Sequence, residues 1–177
     1  MLIARNSKDE IAILKDALSK QFAMKDLGDA HHFLGMHIKR DRKRGILELS
    51  QEEYIHKVLQ CFNMQGGKAL STPMVAYVKL SKNDCPKSDA EKEKIEKVPY
   101  SLIVGSLMYA MVSTRPDIAF AVGVVSMYMA NPGKKHWEAV KHVLRYLKGS
   151  AIKCLRFGNS DPSIVGYTNS DYAGGGH

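Results

Sequence analysis

The chain has 177 residues, 45% of them hydrophobic and 25% charged, with a formal net charge of +8. That is enough apolar material for a buried core in one domain or two small ones, and it excludes a disordered polar tail. The three cysteines form an odd, widely spaced set, which speaks against a disulfide framework or a zinc site and for an intracellular setting, cytoplasmic or nuclear.

The basic balance favours a polyanionic partner such as nucleic acid. Met1-Leu2-Ile3-Ala4-Arg5-Asn6 is too short and too soon charged to read as a signal peptide. Leu2 to Ala4 reads as the end of a strand. Ser7 and Glu10 have capping-box spacing, and Ile11, Leu14, Leu18 and Phe22 follow at helical intervals, which predicts an amphipathic helix over residues 8–21. Phe33 to Arg40 and Ile46 to Leu49 alternate apolar and polar. Between them lies the polar loop Asp41-Arg42-Lys43-Arg44-Gly45, so the pair reads as a hairpin. A second capping box at Ser50-Gln51-Glu52-Glu53 opens a helix whose apolar face is Tyr54, Ile55, Val58, Leu59 and Phe62.

Residues 65–98 are rich in breakers, and the mixed-charge run Lys87 to Lys97 reads as a solvated linker. Three helices are expected beyond it. The first spans Tyr100 to Ser113, with Leu102, Leu107, Met108 and Met111 apolar. The second starts at Asp117 and runs to Met129, apolar almost all round and so expected in a core. Arg115-Pro116-Asp117 interrupts the apolar stretch they share, which argues for a soluble core and against a membrane span. The third covers Lys134 to Lys148, with Trp137, Val140, Leu144 and Leu147 as its buried stripe and Gly149 as its stop. Lys153 to Phe157 and Ile164 to Thr168 read as strands.

Two basic clusters are candidate phosphate contacts. Lys134, Lys141, Arg145 and Lys148 fall on one stripe of the third helix. Arg40, Arg42, Lys43 and Arg44 crowd the hairpin loop. Each cluster reads equally well as a solvated charged face. His31, His32 and His37 lack a fourth ligand, so no metal site is expected from them.

Taken in order, these segments resemble the Pol polyprotein of copia-type (Ty1/copia) LTR retrotransposons. The matching pieces are Met24-Lys25-Asp26-Leu27-Gly28, Phe33-Leu34-Gly35-Met36, Leu49-Ser50-Gln51 with Tyr54, Ser71-Thr72-Pro73, Pro99-Tyr100 and Val104-Gly105-Ser106-Leu107-Met108-Tyr109. They continue with Thr114-Arg115-Pro116-Asp117-Ile118-Ala119, Asn131-Pro132, His136-Trp137, Leu144-Arg145-Tyr146-Leu147-Lys148-Gly149, Gly166-Tyr167 and Ser170-Asp171-Tyr172-Ala173-Gly174.

The resemblance implies an α+β piece of a reverse transcriptase. Residues 1–50 would be a palm remnant whose hairpin is primer-grip-like at Phe33, Leu34, Gly35, Met36 and His37. Residues 51–130 would be a helical thumb, with 65–98 linker-rich. Residues 131–160 would be a tether helix and strand, and 161–177 the first strand of an RNase H domain. The intact parent enzyme uses Mg²⁺ held by carboxylates. In the family the critical Asp pair lies just before the segment matching Met1 to Ala4, so these residues are expected to hold no cofactor and to be inactive as a polymerase alone. Asn169 stands where the family places a metal-binding Asp of RNase H. Asp171 faces the same side two residues on, without a further ligand. Expected partners are nucleic acid, as RNA–DNA hybrid or duplex, and the missing palm and fingers; no membrane is expected. A domesticated nucleic-acid-binding or interaction module, and a subunit complementing a separate palm chain, stand as alternatives.

Overall fold

The computed structural model describes residues 2–75 and 79–158. Ser7 opens α1 (Lys8–Gln21) by accepting the Glu10 N–H at 3.4 Å. The other half of the expected box is replaced, because the Glu10 carboxylate pairs with Arg5. Every α1 residue is exposed or half-buried, so its apolar stripe is uncovered by the described residues. Leu2 to Ala4 is not a strand. A strand is completed by the ladder of a neighbour, and the described residues offer it none.

The hairpin contains one more turn than its alternation suggests. β1 (His32–Phe33) turns back at Leu34-Gly35 into β2 (Met36–Asp41), which pairs antiparallel with β3 (Ile46–Ser50). Leu34 and Gly35 have φ of 47° and 71°. Two successive left-handed residues make the tight hairpin turn that breaks the single strand expected over Phe33 to Arg40. At the other end of β2, the Asp41 carboxylate accepts the N–H groups of Lys43 and Arg44 at 3.0 and 3.1 Å. Gly45, with φ 67°, closes that loop.

α2 (Glu52–Cys61) buries Ile55, Val58 and Leu59, as its periodicity requires. Its start differs from the expected capping box. Ser50 accepts the Glu52 N–H at 3.3 Å, while Gln51 stands at the cap with its side chain turned into the interior. The charged run expected as a linker is instead the exposed helix α3 (Asp89–Glu96), capped by Ser88, which accepts the Glu91 N–H at 3.3 Å. A good cap and i,i+3 and i,i+4 ion pairs support a helix that has nothing to bury.

α4 (Tyr100–Ser113), α5 (Ala119–Ser126) and α6 (Lys134–Gly149) complete the core with α2. α4 buries Ile103, Val104, Leu107 and Ala110, and leaves Leu102 exposed. α5 is shorter than expected, since Pro116–Ile118 forms a 3₁₀ turn first. It is also not buried all round: Phe120 is 77% exposed and Met127 68%. α6 buries Val140, Leu144 and Leu147 with His136, Ala139, Val143 and Tyr146, while Trp137 is half-buried.

β4 (Cys154–Phe157) pairs with β3, in the register Leu47↔Phe157 to Ser50↔Cys154. The sheet order is therefore β1-β2-β3-β4, antiparallel throughout. The segment Ile164 to Thr168, with Asn169 and Asp171, lies outside the described residues. No helix among the described residues is long and apolar enough to cross a membrane.

Candidate nucleic-acid interface

The hairpin tip is seated on the helical bundle. Phe33 pairs with Met36 across the turn, and His32 with His37. The two imidazole rings lie 4.9 Å apart. Tyr109 of α4 donates its hydroxyl proton to the Leu34 carbonyl oxygen. Tyr54 of α2 meets Tyr109 edge to face, with centroids 5.0 Å apart, and donates to the Ser106 carbonyl at 3.2 Å. Burial raises the Tyr54 phenol above its ordinary value, so it stays a neutral donor. A cleft of about 320 Å³ opens between the tip and α2, lined by His32, Gly35, His37, Tyr54 and Lys57 among others.

The basic loop lies at the opposite end of β2 from this tip. Arg40 is exposed opposite Leu47. Arg42 lies 3.7 Å from Asp29, and Arg44 lies 3.8 Å from Asp41. All of these groups are exposed, so the pairs are easily exchanged for a phosphate.

The stripe on α6 is partly engaged within the chain. Arg145 donates from Nε to the Lys68 carbonyl at 2.7 Å, and Lys148 from Nζ to the Gly67 carbonyl at 2.7 Å. The Leu70 N–H donates back to the Arg145 carbonyl at 3.2 Å, and the His142 ring meets the Thr72 carbonyl at 3.0 Å. Gly67 to Thr72 thus runs as a strap along α6. Lys141 pairs with Glu138 at 2.6 Å and lies over the Trp137 ring. Lys134 is exposed at the first position of the helix. The two basic clusters do not merge. The first stands on α6, and the second on the β2–β3 loop, beyond the Leu47↔Phe157 end of the β3–β4 ladder.

Sequence reasoning passed over a second set of polar residues, those at the α4–α5 corner. Arg115 is 1% exposed, and its guanidinium holds Asp117 through Nε at 3.0 Å and Nη2 at 2.8 Å. It also donates to the Ser150 carbonyl and hydroxyl oxygens at 2.9 and 2.6 Å. Tyr146 donates to the same Asp117 carboxylate at 2.6 Å. Burial by itself would raise the Asp117 pKa, but the hydrogen bonds from Arg115 and Tyr146 outweigh it and hold the carboxyl below its ordinary value. Next to them, Thr114 donates to the buried Gln51 side-chain oxygen at 2.7 Å. The starts of α2 and α5 and the end of α6 therefore meet in one polar cluster. The available signal was an arginine and an aspartate two residues apart inside an otherwise apolar stretch, since charges there must be paired.

The start of α6 is a second locked corner. His136 accepts the Gly133 N–H on Nδ1 at 2.8 Å and stacks on Tyr128 at 3.9 Å. Burial lowers its pKa, partly opposed by the Ser81 backbone and the Asp84 carboxylate. Lys135 lies 2.6 Å from Asp84, and that pairing, with the Ser81 N–H and hydroxyl, holds Asp84 down to about 2. Among the described residues, no three His, Cys, Asp or Glu side chains are grouped to hold a metal ion.

Residues 1–76 match the family model described as reverse transcriptase (RNA-dependent DNA polymerase). Over 174 residues, 98% of its length, the chain is 59% identical to the retrovirus-related Pol polyprotein from transposon TNT 1-94 of Nicotiana tabacum. It is 38% identical over 176 residues to the corresponding polyprotein from transposon RE2 of Arabidopsis thaliana. The chain spans only 13% and 11% of these two relatives. It is also 34% identical over 175 residues to an uncharacterized mitochondrial protein of Arabidopsis thaliana, of which it covers 69%. No solved structure gives a significant match.

Proposed function

The chain belongs to the reverse-transcriptase-bearing Pol polyproteins of copia-type transposons, and on that premise we propose that it is the duplex-supporting part of an RNA-directed DNA polymerase. The hairpin β1–β3 is read as the end of a palm, with Phe33 to His37 at a primer-grip-like position. The α2, α4 and α5 bundle is read as a thumb and α6 as a tether. Residues 161–177 are read as the opening of RNase H. Binding is to the phosphate backbone of an RNA–DNA hybrid, through the Arg40–Arg44 loop and two cations of α6 that the strap does not engage, the exposed Lys134 and the half-buried Lys141.

One observation carries this reading: the chain follows a Pol polyprotein at 59% identity across 98% of its length, hairpin and bundle together. The electrostatics agree with it, since a net charge of +8 sits on a surface whose ion pairs are mostly exposed. The catalytic step of the parent is not assigned to these residues. The described side chains offer no metal-holding group, so no step of the proposal runs through Mg²⁺.

Fluorescence anisotropy with a labelled RNA–DNA hybrid tests the reading across a salt series. Binding whose log Kd varies linearly with log salt is expected. In parallel, primer extension with Mg²⁺ or Mn²⁺ is expected to give no product. Absence of hybrid binding at low salt, or product above background, would sink it. A free-standing module is the second reading, because the chain covers 69% of the mitochondrial relative but only 13% of the tobacco polyprotein. That reading shares the binding and differs in requiring no polymerase partner.

A further inference from the structure

The β1–β2 turn is held from outside itself. Leu34 and Gly35 both lie in the left-handed region, at φ 47° and 71°. Glycine takes that region freely, but a leucine there is disfavoured because its Cβ crowds the following carbonyl. Such residues persist only where their surroundings over-determine them, and they cluster at ligand clamps. Here the surroundings are two rings from the helical bundle. Tyr109 donates to the Leu34 carbonyl, and Tyr54 braces Tyr109 edge to face while anchored on Ser106. A Cβ on Gly35 would sit 3.9 Å from the Tyr109 hydroxyl and 4.0 Å from the Tyr54 ring. The turn thus lies against both rings, while the Leu34 side chain points outward, 67% exposed.

We propose that Tyr109 is a positioning residue for nucleic-acid binding: with Tyr54 behind it, its hydroxyl fixes the Leu34-Gly35 turn in the one conformation that meets the duplex backbone. The proposal rests on the hybrid-binding reading above. Tyr109 itself touches no nucleic acid and acts through the Leu34 carbonyl. Losing one net hydrogen bond relaxes the turn and weakens binding by about 2- to 10-fold. The same phosphates remain neutralised, so the salt slope is unchanged.

Kd for a fluorescent RNA–DNA hybrid is measured for the 177-residue chain and for Tyr109→Phe, Leu34→Asn, the double variant and Tyr128→Phe. The last removes a hydroxyl that donates to the Leu80 carbonyl at 2.9 Å, on the same bundle but away from the hairpin. Asn-Gly forms this type of turn unaided, so Leu34→Asn should make the Tyr109 hydroxyl dispensable. Tyr109→Phe is expected to weaken binding with an unchanged salt slope, Tyr128→Phe to leave affinity as it was, and the double variant to recover wild-type affinity. Equal affinity of Tyr109→Phe and wild type would overturn the proposal. So would an equal loss in Tyr128→Phe, or a double variant no tighter than Tyr109→Phe. Each of those outcomes leaves the hybrid-binding reading standing, whereas no binding by the wild-type chain overturns both.

Discussion

Arg115 grips Ser150 twice, through Nη1 to the carbonyl oxygen at 2.9 Å and through Nη2 to the hydroxyl at 2.6 Å, across 35 positions of chain. This grip ties the α4–α5 corner to the end of α6, where the chain turns toward β4. Asp117 neutralises the guanidinium, and the Tyr146 hydroxyl shares that carboxylate.

Arg115→Ala should therefore destabilise the fold by about 3–5 kcal/mol, because it leaves the half-buried Asp117 carboxylate and the Ser150 oxygens without their donor. Arg115→Lys should recover only part of this, since an ammonium cannot reproduce the planar fork. Urea denaturation of the two variants measures both. A drop in stability under about 1 kcal/mol in Arg115→Ala, the range of an exposed pair, would show the cluster to be incidental.

Acid should destabilise the chain in two separate windows. Burial sets the folded pKa of His136 below 6.5, so the unfolded chain binds that proton first, and stability falls as pH drops below about 6.5. Asp84 is depressed from 3.8 to about 2, chiefly by Lys135. Its contribution is complete above the unfolded value and disappears as pH falls from 3.8 toward 2. Melting temperature against pH, for wild type and Asp84→Asn, reads this out. The substitution should flatten the lower window and, by removing a carboxylate that raises the His136 pKa, deepen the upper one; an unchanged lower limb would refute the assignment.

Charge reversal should separate the two basic clusters. Lys134→Glu with Lys141→Glu changes α6 without touching the strap, which Arg145 and Lys148 hold. Arg40→Glu with Lys43→Glu changes the hairpin loop. Each pair that meets phosphate should weaken hybrid binding and reduce the salt slope by about 0.9 for every phosphate it no longer neutralises. Salt-series anisotropy measures both quantities, and a cluster whose reversal leaves the slope unchanged is not part of the interface. Arg145→Glu is a poorer probe, because it would also free the Lys68 carbonyl.

Gly133→Ala should be destabilising out of proportion to one methyl group. A Cβ there would lie 1.8 Å from the Asp84 carbonyl oxygen, a backbone atom that cannot swing aside. The expected destabilisation is about 1–3 kcal/mol, as in other overpacked sites. Thermal melting checks it, with Gly66→Ala as the comparison, since a Cβ at Gly66 meets nothing within 4 Å.

Much of the fold was legible from local signals. The Ser7 cap and the apolar spacing placed α1 at residues 8–21, and α4 runs from Tyr100 to Ser113 as expected. The apolar faces of α2 and α6 were readable because helical period and burial agree. The turn at Leu34-Gly35 was missed because a leucine in the left-handed region carries no turn signature, and its reason for being there is Tyr109, 75 residues away. The length of α5 and the exposure of Phe120 were misjudged because an apolar sequence does not say which side has a neighbour.

The sequence by itself determined where α1 and α4 start and stop, which face each of α2 and α6 buries, and which family the chain belongs to. Capping and periodicity act within a few residues, and ordered motifs need no contacts to be recognised. Only the tertiary structure decided that β4 joins β3, that Arg145 and Lys148 hold a strap, and that Arg115 lies buried against Ser150. Strand pairing and the partners of a charged side chain depend on which distant segment arrives beside them. A sequence displays the donors and acceptors but not which of them meet.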